Sequence, residues 1–178
     1  MSPLPRKGRP PRRGRPAAKI RFFIAPNRYD CIAALAMAAF VAFVLWERAA
    51  DGAPLYAVLR AVHRELGRLL LGLALVMALV GGYIGLLHRG DVRPWYRRLT
   101  YAIILWVASQ GLLGALLWFL GGRPGEDVHI IYGFGAVLAL PFFAFVEITA
   151  QKRPAMGSYI WGFTLLLGIL LRSLLTGA

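Results

Sequence analysis

"RAVHRELGRLLLGLALVMALVGG", residues 60–82, begins with a histidine set among arginines and then runs into hydrocarbon, with no charge from Leu69 to Leu87. About 20 apolar residues, and no fewer than roughly 17, cross the hydrocarbon core of a bilayer as an α-helix. This run reaches that length. A second stretch repeats the pattern: "EDVHIIYGFGAVLALPFFAFVEI", residues 126–148, again sets a histidine at the lip of an apolar run. Working outward, the nearly uncharged blocks are Cys31–Trp46, Leu69–Leu87, Leu99–Leu120, Val128–Val146 and Ser158–Leu171. The first reaches spanning length with Tyr29 included, and the last does so by continuing past Arg172.

The chain of 178 residues is 58% hydrophobic, above the 45–50% or so of soluble domains. Backbone groups in lipid find no outside partner, so the spans must be helices or a closed barrel. Barrel strands need ten-residue segments of alternating polarity, and none is present. The expected fold is an all-α integral membrane protein: a four-helix transmembrane bundle over residues 29–150 and a fifth transmembrane helix within 151–178. Residues 1–28 form a basic tail whose Pro/Arg/Gly-rich part cannot build a core.

The net charge of +13 is concentrated, with nine of the 21 Lys and Arg before Asp30. Arg89, Arg93, Arg97 and Arg98 separate the second and third spans, and Lys152 and Arg153 separate the fourth and fifth. The alternate loops are mixed: Arg48, Arg60, Arg64 and Arg68 stand beside Glu47, Asp51 and Glu65, and Arg123 stands beside Glu126 and Asp127. The positive-inside rule therefore puts the N-terminus in the cytoplasm and the C-terminus outside, in a cytoplasmic (inner) membrane. Basic charge placed this way meets anionic lipid, so the expected partner is the bilayer and not nucleic acid. The basic start and apolar run imitate a signal peptide, but some thirty residues is too long for its basic region. The single Cys31 leaves no intrachain disulfide.

Strict alternation puts His63 and His129 at the same, outer side. At 100° per residue Gly67, Ala74, Gly81 and His88 share the His63 face. Gly133, Ala136, Leu140 and Glu147 share the His129 face, with Tyr132 beside it. Small residues below each histidine leave room either for a flat macrocycle or for close helix approach, and spacing alone does not choose. Two histidines at one depth suit the axial ligation of haem iron, and Arg64 and Arg68 stand where haem propionates would emerge. At the inner end His88 and Glu147 form a candidate polar pair: a clasp, or a proton or quinone-headgroup site. Ser109 and Gln110 lie mid-span in the third helix, and Pro141 is expected to bend the fourth.

Three of these segments resemble one four-helix half of haem A synthase: "HRELGR" opening the second span, "SQGLLGALLW" in the third, and a histidine opening the fourth. The resemblance covers roughly residues 30–148. It implies a haem-binding membrane bundle with His63 and His129 as an outward-facing ligand pair. The family has eight helices and often an outer-loop cysteine pair; this chain has about five spans and lacks that pair. The carboxylate usually found three residues before the first histidine is here Arg60. The family's oxidation chemistry is therefore not expected.

The chain has no phosphate-cradling glycine loop, no zinc-type Cys/His cluster and no nucleophile beside a base. The expected function is a b-type haem protein, the site comprising His63, His129, Arg64, Arg68, Gly67, Gly133 and Tyr132. It would serve electron transfer or haem handling among the subunits of a respiratory or photosynthetic membrane complex. The competing expectation is a cofactor-free accessory or assembly subunit packed against a larger complex.

Overall fold

The structure is a computed structural model that describes residues 54–150 and 155–177, together with 35, 38, 39, 41–43 and 46. The basic tail, Cys31, Lys152 and Arg153 lie outside the described residues. The chain is an all-α membrane protein. Among the described residues four helices are long and apolar enough to cross a bilayer: α1 (Leu55–Gly82, extended by a π-helical turn over Tyr83–Leu87), α2 (Pro94–Phe119), α3 (Val128–Ala150) and α4 (Met156–Thr176). Of the first span, Leu35, Ala38, Ala39, Val41, Ala42, Phe43 and Trp46 are described, and all are helical.

Helix boundaries follow local chemistry. Pro94 occupies the first turn of α2, where its missing N–H costs nothing, behind Arg93 in an extended conformation. At the other end Gly121 takes φ +88°, and the N–H of Gly122 closes back on the Leu117 carbonyl at 3.0 Å. Glycine enters that left-handed conformation without the Cβ clash that other residues meet. α1 begins well before its uncharged run. Its N-terminal turns carry Arg60, Arg64, Glu65 and Arg68, and 33 helical residues rise about 50 Å against a hydrocarbon core of about 30 Å. Those turns therefore stand outside the hydrocarbon. α3 continues through Pro141 as helix.

The four helices close a ring, each packing along its two sequence neighbours, with α4 closing back onto α1. The diagonal pairs, α1 with α3 and α2 with α4, make no close backbone approach. Up-down-up-down connectivity follows, since each connection is short. α4, the last span, packs extensively on both α3 and α1 and is thus a wall of the ring. Val41 of the first span, like Trp106 and Leu113 of α2, packs against Val62 and Leu66 of α1. The core comes from all four walls: Leu70, Ala74 and Met77; Ile103 and Val107; Ala136 and Leu140; Phe163 and Leu166. Two connections are pinned. Asp91 Oδ1 accepts the N–H groups of Val92 at 2.8 Å and Ala155 at 2.7 Å, and the N–H of Glu126 donates to the Thr176 carbonyl at 3.0 Å.

Tyr96 illustrates how the ring is filled. It is fully buried, its ring meets Tyr159 and Phe163 across the interior, and its hydroxyl donates to the Met77 carbonyl at 2.7 Å. A Cβ on Gly81 would lie 2.6 Å from that hydroxyl. Gly81→Ala is therefore expected to cost about 1–3 kcal/mol through overpacking. Tyr96→Phe removes a hydrogen bond of about 1 kcal/mol, yet in the Gly81→Ala background it relieves the clash. Thermal unfolding of the double variant in detergent should show a loss smaller than the sum of the single losses.

Candidate functional site

His63 stands in the third turn of α1 and His129 in the first turn of α3, on diagonally opposed walls of the ring. Their imidazole rings meet edge-on across the interior, with centroids 6.4 Å apart and planes at 77°. The helices run in the same direction, so equal depth required α1 to extend beyond its apolar run, as it does.

Each ring has its own setting. His129 Nδ1 lies 2.9 Å from the Ser173 carbonyl oxygen of α4, with the Ser173 hydroxyl at 3.3 Å. A carbonyl only accepts, so Nδ1 carries a proton, and a ring holding that single proton presents the Nε2 lone pair. Gly177 closes over the same ring: a Cβ there would fall 2.6 Å from Cε1. His63 is half-buried, and its Nδ1 is buried without a hydrogen-bond partner among the described residues. Gln110 and Gly114, one turn apart on α2, line this part of the interior. Gln110 is 7% exposed and neighbours His63, and its Oε1 also has no partner among the described residues. A Cβ on Gly114 would come within 3.3 Å of His63 Cε1 and 3.7 Å of Nε2, so the missing side chain keeps that edge of the ring open.

The other expected site residues divide. Arg64 and Arg68 stay close to His63 on α1 but are held by Glu65, at 3.4 Å and 3.0 Å, with more than half of each side chain exposed. Gly67 faces α4, where a Cβ would touch Leu174 at 3.7 Å, so its small size serves helix packing. Gly133 faces open space. Tyr132 lines an outer groove between α3 and α4 with Trp161, Thr164, Leu165, Gly168 and Ile169, apart from the histidine pair.

At the far end His88 and Glu147 do not pair. Glu147 accepts from Arg97 Nη2 at 2.5 Å and from the Tyr159 hydroxyl, while His88 packs edge-on against Tyr83 with centroids 4.5 Å apart. The ring explains this. Glu147 on α3 sits between α2 and α4, which supply Arg97 and Tyr159, whereas His88 follows α1 on the opposite corner. By sequence alone Arg97 reads as one of the charges between two spans. Its place one turn inside α2, after Pro94, was the available signal.

Among the described residues no three or more His, Cys, Asp or Glu side chains group to hold a metal ion. The histidine pair stands as two imidazoles without carboxylate or thiolate support. No family model matches the chain, and no solved structure matches it.

Proposed function

We propose that His63 and His129 are the axial ligands of a haem b, and that the protein serves electron transfer or haem handling in a respiratory or photosynthetic membrane. The observation that carries this reading is the 6.4 Å separation of two rings on opposite walls of one bundle. Metal–imidazole bonds of about 2.0–2.1 Å, added to the ring radii, put two trans imidazoles on one metal roughly 6 Å apart, centre to centre. A bare zinc ion would want three or four protein ligands, whereas haem brings four nitrogens and needs two.

The chain's own groups fit that ligand. The Ser173 carbonyl fixes the His129 tautomer that leaves Nε2 available, a supporting bond of the kind metal-ligating histidines commonly make. Gln110 lies close enough to His63 for their side chains to interact, so it can steady the imidazole from α2. Gly114 leaves the space a side chain would take. Bound haem supplies one-electron redox chemistry; the protein supplies ligation, orientation and an apolar wall against water. Arg64, the residue after His63, and Arg68, five residues on, are the cations on α1 available to propionates, both now engaged by Glu65. The distribution of basic residues supports an outward-facing site with the N-terminus inside. The resemblance to half of a haem A synthase agrees with ligation, while Arg60 in place of a carboxylate argues against that family's oxidation.

Purified from a haem-sufficient host, the protein is expected to carry about one haem b per chain by pyridine haemochrome assay, with a six-coordinate low-spin spectrum. A colourless protein that stays colourless when titrated with haem b favours the accessory-subunit reading instead.

A further inference from the structure

We infer that a groove at the opposite end of the bundle from the histidines binds one anionic phospholipid, with the phosphate held between Arg93 and His88. The groove, of about 690 Å³, is lined by Val80, Tyr83, Ile84, His88, Asp91, Arg93 and Trp95, with Gly90 between them. It lies where the π-helical turn ending α1 meets the start of α2, and π-helical turns are frequent at functional sites. Arg89, at φ +47°, turns the chain sharply between them.

Charge points to an anion. No ion pair among the described residues engages Arg89, Arg93 or His88. The carboxylate in the groove is already engaged, because Asp91 Oδ1 accepts from the Val92 and Ala155 backbones. Arg93 and His88, both exposed, supply N–H donors of the kind that meet phosphate oxygens. The rest of the lining points to a lipid and not a free anion. Val80 and Ile84 carry the groove down the helix into the apolar span, and the same π-helical turn exposes Leu86 and Leu87 by over 70%. Trp95 and Tyr83 are exposed aromatics at the span end, where amphipathic rings sit at headgroup level. Basic pockets between transmembrane helices hold anionic headgroups in this way.

The test is native mass spectrometry of the full chain in detergent, with equal phosphatidylglycerol and phosphatidylcholine. The expected result is one retained phosphatidylglycerol per chain, preferred about tenfold over phosphatidylcholine. Arg93→Gln combined with His88→Gln should remove most of that preference, with circular dichroism unchanged. Arg123→Gln, at the other end of the bundle and stacked over Trp118, should leave it intact. Millimolar inorganic phosphate should not displace the lipid. Equal retention of the two lipids by the wild-type chain, which requires no variant, overturns the assignment. So does a preference that survives the double substitution. Displacement by inorganic phosphate overturns it in favour of a free-anion site.

Discussion

Glu147→Leu is expected to lower the unfolding midpoint of the detergent-solubilised protein by roughly 4–12 °C. The carboxylate joins three of the four walls, accepting from Arg97 of α2 and Tyr159 of α4 while standing on α3. Its side chain is 10% exposed and that of Arg97 is 33% exposed. Removing one partner of a buried ion pair costs about 3–5 kcal/mol, because the remaining charge is left unpaired. Arg97 is a third exposed and near a helix end, so part of that cost is recovered by snorkelling, leaving about 2–3 kcal/mol. One kilocalorie per mole moves a midpoint by about 2–4 °C in chains of 150–250 residues. The sign of the second substitution is the stricter test. Adding Arg97→Leu removes the orphaned cation and should recover more than half of the loss, because replacing both partners of a buried pair by apolar residues is close to neutral. A midpoint within 1–2 °C of wild type for Glu147→Leu alone would mean that the contact carries little of the packing.

Gly114→Leu should reduce haem occupancy at least tenfold while the bundle stays helical. A Cβ at this position already approaches His63 Cε1 to 3.3 Å, so a branched side chain must occupy the space at the ring's Cε1–Nε2 edge. The effect should be graded: small for alanine, where the ring yields by a few tenths of an ångström, and large for valine and leucine. A substitution that acted only on packing would lower the melting midpoint and the occupancy together. Here occupancy should fall first, read from the Soret band per chain beside the far-ultraviolet circular dichroism. Equal occupancy in wild type and Gly114→Leu would remove Gly114 from the site.

The membrane spans were legible because hydrophobic length is a one-dimensional property. The uncharged runs Leu99–Leu120 and Val128–Val146 fall within a few residues of α2 and α3. Where they differ, the charges explain it: α1 starts at Leu55 and not at Leu69, because Arg60, Arg64, Glu65 and Arg68 continue the helix outside the hydrocarbon. What the runs do not encode is which helix stands beside which. The order of spans along the chain leaves open whether the last one joins the ring, and α4 does so through Tyr159, Phe163, Leu166 and Leu170, all buried.

The same distinction separates the two polar pairs. Matching His63 to His129 needed only the parity of the spans and their diagonal relation across an interior, and the two rings do meet there, edge-on. Matching His88 to Glu147 used the same parity, but Glu147 turns sideways to its ring neighbours and is satisfied there. Gly67 reads the same way. A glycine one turn from a histidine suggests space for a ligand, yet its facing atom is Leu174 of α4, a contact that no periodicity along α1 contains.

The most direct measurement of the central claim is the reduced-minus-oxidised absorption spectrum of the purified protein beside His63→Ala and His129→Ala. Axial ligation by both rings requires a low-spin haem b spectrum in the wild type that is lost, or converted to a five-coordinate high-spin form, in each single variant. The circular dichroism should be unchanged in both, since both histidines are only partly buried. A wild-type haem spectrum that persists unaltered in either variant would contradict ligation by this pair.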